Sequence, residues 1–192
     1  MTRARDVASR GGLTHIIPTS VTVSSGTASV AANGFITFST AQNLALDGIF
    51  TSSYRNYRLL FSGIANGNVS MNFVYRYLSS GTPTDFGSLY YTQKLYSGSS
   101  ATTSVRVANA ANGTLPDVGV DFSVSSNDIY NPNVLNIYTS HTSQGTYAPS
   151  AGGIEYDNFG GLCATGTQMT GIKFLGSMNY TGTIQVYGYN NG

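Results

Sequence analysis

The chain has one cysteine, no tryptophan, five prolines and charged side chains at only 9% of its 192 positions. Each shortage excludes something. Cys163 alone cannot close an intrachain disulfide or found a cysteine-rich metal site, and it reads as a small buried apolar residue rather than a nucleophile. Ordinary globular chains carry about 25% charged residues; here Gly, Ser, Thr and Asn stand where Lys and Glu would, so solubility must come from hydroxyls and amides. The formal net charge is +1, with no basic stripe along the chain, which argues against nucleic acid as a partner. No segment approaches the roughly 18 consecutive apolar residues of a membrane-spanning helix, so no membrane insertion is expected. The basic start runs into VASRGGLTH rather than an apolar core, unlike a secretory signal. Synthesis in a cytosol is the reading.

What charge there is clusters at the beginning. Arg3, Arg5 and Arg10 are three of the nine cations, and Asp6 lies among them. TRARDVAS is the best helical stretch of the sequence, with Thr2 as N-cap and Gly11-Gly12 as a stop, but it is too short to hold a helix alone. Residues 1–14 are therefore read as an attachment arm and residues 15–192 as one folded domain.

After Gly12 the apolar period becomes two. Short strands are expected at 19–23, 28–32 and 35–38, the last two joined by Asn33-Gly34, a hairpin signal because Asn-Gly accepts positive φ. NLALDGIF, 43–50, reads as a turn with one helical loop. Strong strands follow at 57–64 and 69–78, and in the second Val69, Met71, Phe73, Tyr75 and Tyr77 share the core face. Further strands are expected at 89–96, 103–108, 118–124, 129–138, 154–159, 171–175 and 183–189, with 81–91 and TSHTSQGTYAPSAGG, 139–153, as long polar loops. Ten to twelve short strands without a long helix predict an all-β fold, an antiparallel two-sheet sandwich of jelly-roll kind or a barrel, with the sandwich preferred.

The chemistry of catalysis is thinly represented. His15 and His141 lie near no nucleophile-elbow pattern, and packing or surface roles suit them better. Asp117 with Asp121, and Glu155 with Asp157, could each share a strand face; neither pair has the spacing of a calcium loop, and a glycan-cleaving reading would need Glu155 or Asp157 in a groove. With no phosphate-binding loop and no dinucleotide fingerprint, no cofactor and no metal are expected. A non-enzymatic role follows. The fourteen tyrosines supply rings with polar tips, and Tyr90, Tyr91, Tyr147 and Tyr156, in or beside the expected loops, are the candidates for saccharide or partner contact. The low net charge weakens repulsion between copies and favours self-association.

Four stretches carry a resemblance. RARDVASRGG resembles the leading segment of virion structural proteins of marine and freshwater tailed phages, especially tail-fibre-like ones. LDGIFTSSYRNYRLLF resembles the entry of a β-sandwich module of such proteins into its main sheet, TGTIQVYGYNNG its closing strand, and DIYNPN an internal motif. The resemblance implies a bacteriophage structural protein, most simply a tail-fibre or tail-appendage subunit. Its arm, with Arg3, Arg5, Asp6 and Arg10, would attach to other virion proteins. Its sandwich would form a homotrimer and display loops for host attachment, with a surface glycan as ligand. The chain has no shaft of heptads or repeats between arm and sandwich, which raises the alternative of a capsid decoration protein.

Overall fold

The computed structural model describes residues 12–97, 102–149, 153–176 and 179–189. The expected helical stretch and Arg3, Arg5, Asp6 and Arg10 lie outside the described residues. Those residues hold sixteen strands. The first five are β1 (Leu13–His15), β2 (Ser20–Thr22), β3 (Ser25–Val30), β4 (Ile36–Gln42) and β5 (Ala45–Asp47). Next come β6 (Asn56–Ala65), β7 (Val69–Ser79), β8 (Thr82–Asp85), β9 (Tyr90–Ser97), β10 (Thr102–Ala110) and β11 (Gly113–Val118). β12 (Phe122–Tyr130), β13 (Thr139–Ala148), β14 (Glu155–Cys163), β15 (Gly171–Leu175) and β16 (Tyr180–Tyr189) complete the chain. Leu13 and Thr14, grouped with the arm on sequence grounds, already pair with β16.

Two antiparallel sheets form a sandwich. The larger has ten strands in the order β10-β9-β14-β13-β12-β6-β16-β4-β3, with β1 also on β16. The smaller runs β11-β7-β15-β5-β2, with β8 on β7. The hairpin between β3 and β4 turns at Gly34, whose φ of 83° is the left-handed backbone that Asn-Gly signals. β6 and β7, by contrast, lie in different sheets, so 66–68 is a crossover.

Alternation explains where the core lies. Met71, Phe73 and Tyr75 of β7 and Tyr57, Leu59 and Phe61 of β6 are buried, as a period of two requires of strands that meet across a sandwich. The rings interlock: Phe73 stands edge-on to Tyr75 and Tyr90 at 5.0 and 5.8 Å, and Phe50 to Tyr57 at 4.9 Å. Their polar tips are tied to backbone. The Tyr57 hydroxyl donates to the Thr51 carbonyl and accepts the Thr51 N–H, both at 2.7 Å.

Five expectations are corrected, the first being the loop at 81–91, which holds strand β8 on β7 and the start of β9. NLALDGIF holds strand β5 instead of a helical loop, because Ala45, Leu46 and Asp47 are all buried between β2 and β15. The stretch 118–124 is not one strand: Val118 closes β11 in the smaller sheet and Phe122 opens β12 in the larger. The inward face changes with it, so Val118 is buried but Phe122 and Val124 are exposed. The strand expected at 129–138 ends at Tyr130, where Asn131 takes a φ of 56° ahead of Pro132. The polar stretch 139–148 is strand β13, paired on both sides, and not a loop.

Candidate functional site

β9 reads YYTQKLYS, and its alternation puts Tyr90 and Thr92 into the interior together with Lys94. Lys94 is in register with Val105 of edge strand β10 and with Phe159 of β14. Its ammonium lies 4.8 and 5.0 Å from the ring centres of Tyr96 and Phe159, a cation held against aromatic faces. Opposite it runs β11. Pro116 has no N–H for the ladder, and β11 shifts register between Leu115 and Asp117, as a proline at a bulge does. The Pro116 ring presses so closely on β13 that a Cβ at Gly145 would lie 2.4 Å from it.

This packing joins three charges across the two sheets. Lys94 Nζ donates to Asp117 Oδ2 at 2.8 Å and lies 3.4 Å from Asp157 Oδ1. The Asp117 amide donates to Asp157 Oδ2 at 2.8 Å. Asp157 is 1% exposed. Burial pushes its carboxyl above the usual range, although the Asp117 amide and Lys94 pull the other way. Asp117 Oδ1 is buried and accepts no hydrogen bond. Beside the triad the Tyr147 hydroxyl donates to Glu155 Oε2, and burial, then that hydrogen bond, raises its pKa well above the phenolic norm.

Above the triad opens a cleft of about 440 Å³ between the β9–β10 end of the larger sheet and the β11–β7 edge of the smaller. Val105 and Val107 give it an apolar wall, while Thr92, Asn72, Thr114 and Lys94 are among its polar groups. Glu155 and Asp157 are not among the residues lining it. The carboxylates that meet are Asp117 and Asp157, and not the expected Asp117–Asp121 pair.

A second depression, about 610 Å³, lies on the outer face of the larger sheet. It follows from the reversed alternation of β12. Val124, Leu60 of β6 and Tyr156 of β14 face outward there among Ser62, Ser126, Gln144, Thr146, Thr183 and Gln185, and no lining residue is charged. Phe122 and Ile64 extend the exposed apolar surface.

The four tyrosines named as contact candidates lie at separate places. Tyr147, 7% exposed, lines the cleft; Tyr156, 43% exposed, lines the outer depression; and Tyr91 lines a smaller hollow with Arg106 and Leu162. Tyr90 is a correction: it is 0% exposed, because β9 turns it into the aromatic core. The residue that sequence reasoning passed over is Lys94. Its position two residues from Tyr96 and four from Tyr90 on an alternating strand was the available signal.

Cys163 and His141 are withdrawn from solvent, and His15 is half-buried. Burial pushes the Cys163 thiol up to about 12, so it stays protonated at neutral pH. His141 is 2% exposed inside β13, and burial lowers its pKa to about 4. His15 stacks on Tyr187 with ring centres 4.8 Å apart. Among the described residues no group of three or more His, Cys, Asp or Glu is placed to hold a metal ion.

No family model matches the chain, and neither a curated protein nor a solved structure matches it.

Proposed function

We propose that the chain is a non-enzymatic structural protein of a tailed-phage virion, a tail-fibre or tail-appendage subunit. Its sandwich self-associates, as a trimer, to display the free surfaces for host attachment, and the basic segment holding Arg3, Arg5 and Arg10 anchors it to other virion proteins. The observation that carries the reading is the outer face of the larger sheet. Leu60, Ile64, Phe122, Val124 and Tyr156 are exposed there around a depression rimmed by hydroxyls and amides and lined by no charge. A sheet face of this kind is stable when a second surface covers it. A neutral face on a chain of net charge +1 meets its own copy without repulsion, and the Ser, Thr and Gln rim can donate and accept in turn. The motif resemblance supplies the particle.

Light scattering on the purified chain tests the assembly. A trimer is expected, and Val124→Glu or Leu60→Glu should give a monomer with an unchanged far-ultraviolet spectrum; a monomeric wild-type chain overturns the self-association. Quantitative mass spectrometry of purified particles tests the location. Tens of copies or fewer support the tail, hundreds support the alternative of capsid decoration, and absence from the particles overturns the virion reading.

A further inference from the structure

We propose that the cleft over Lys94, Asp117 and Tyr147 is a binding site for a neutral saccharide, one or two pyranose rings of a surface polysaccharide. The volume of about 440 Å³ falls in the range of roughly 300–1,000 Å³ in which small-molecule sites are found.

The charges select the class of ligand. Lys94 contributes one positive charge, Asp117 and Asp157 two negative ones, and Glu155 adds a third beside Tyr147. An anionic ligand such as a phosphate or a uronate would meet a net negative floor. A cation would meet the Lys94 ammonium already lying between the carboxylates. A neutral polyol suffers neither repulsion.

The hydrogen-bonding groups select it further. An ammonium has three donors and no acceptor. Lys94 donates to Asp117 Oδ2 and lies 3.4 Å from Asp157 Oδ1, which leaves it donors to offer. Asp117 lines the cleft together with Lys94, and its carboxylate is an acceptor. A donor and an acceptor thus stand side by side, and a sugar hydroxyl, which accepts from one and donates to the other, satisfies both. Hydrogen bonds in which one partner is ionised are about twice as strong as neutral ones. Asn72 and Thr114, joined at 3.4 Å, carry further polar atoms to the rim.

The apolar part of the cleft completes the match. Val105 and Val107 are exposed on edge strand β10 and face the cleft opposite Asn72 and Thr114. A pyranose presents C–H groups on one face and hydroxyls around its edge, and such a wall receives the former. The site deepens the attachment reading by naming the ligand class.

Saturation-transfer NMR and titration calorimetry on the full chain test this with glucose, galactose, mannose, N-acetylglucosamine and their short oligomers, and with glucuronate as the anionic control. At least one neutral sugar should bind. Asp117→Asn should weaken it about tenfold. Val107→Trp, which fills the cleft from an exposed position and leaves the core intact, should abolish it. Val124→Glu on the outer face should leave it unchanged. Failure of every neutral sugar at millimolar concentration, equal binding by the Val107→Trp chain, or preference for glucuronate each overturns the assignment. A monomeric chain that binds sugar keeps this site and removes the assembly proposal; a trimer that binds none does the reverse.

Discussion

The hydroxyl of Tyr90, in the larger sheet, accepts the backbone N–H of Tyr75, in the smaller, at 2.7 Å, and donates to the Phe86 carbonyl at 2.8 Å. One side chain therefore satisfies two backbone groups and ties the loop before β9 to the opposite sheet. Tyr90→Phe keeps the ring and removes both bonds. Each buried group left without a partner costs about 1–3 kcal/mol. Chemical denaturation of the variant should show a loss of about 3 kcal/mol, and Tyr91→Phe, one residue along on the outer face, a loss near zero.

The crossover from β11 to β12 hinges on Gly119. A Cβ there would lie 2.0 Å from the Ala148 carbonyl oxygen, so the backbone itself blocks any side chain. The Gly119 N–H donates to the Ser123 hydroxyl at 2.8 Å, and the Gly119 carbonyl accepts from Ala65 at 2.9 Å. Ser123→Ala should cost about 1–2 kcal/mol, the cost of one buried donor left unpaired. Gly119→Ala has to move backbone and should cost more, about 3 kcal/mol or above. Thermal melts of the two variants decide the order.

Much of the sandwich was legible because its strands obey the simplest rule of burial. β7 and β15 fall where the apolar alternation put them, and β6 and β16 differ at their ends alone. The failures share a cause. In VGVDFSV the valines alternate without interruption, yet the chain changes sheet at Gly119 and the inward face changes with it. In TSHTSQGTYA the inward face is Thr139, His141, Ser143, Gly145 and Tyr147, polar residues that are buried all the same. Composition reads such a strand as a loop, because the partner that covers it, β11, is distant in sequence. The cleft lay hidden for the same reason: Lys94, Asp117 and Asp157 belong to three strands that meet through topology, and no spacing along the chain announces them.

His141 makes stability depend on pH on the acid side of neutrality. Burial against Phe73, whose ring stands edge-on at 5.1 Å, holds its folded pKa at about 4, against an ordinary 6.5. Below 6.5 the unfolded chain takes up a proton that the folded chain refuses, so stability falls as pH drops from 6.5 to 4 and levels off beneath. The total is about 3 kcal/mol, from 1.36 kcal/mol for each pH unit of difference. His141→Leu should flatten that slope. Asp157, with a raised pKa, and Asp128, lowered because its bonds to Arg58 and Tyr189 outweigh burial, contribute with opposite signs to wild type and variant alike. The difference between the two denaturation series therefore isolates the histidine.

Lys94 is the counter-ion on which two carboxylates depend. Lys94→Met preserves the stem that packs beside Tyr96 and Phe159 but leaves Asp117 and Asp157 facing each other through one amide hydrogen bond. Removing one member of a buried ion pair costs about 3–5 kcal/mol; with the Lys94 side chain 15% exposed, the lower end applies. The sign of the pH effect is fixed by the same geometry. Without the ammonium, the buried Asp157 rises further above its ordinary pKa, and a raised carboxyl is least destabilising when protonated. The deficit of the Lys94→Met chain should therefore shrink as pH is lowered from 7 toward 5, and Lys94→Met with Asp157→Asn should recover part of it at pH 7. Denaturation of the single and double variants at both pH values checks each outcome, and a deficit independent of pH would show that Lys94 acts through its packing alone.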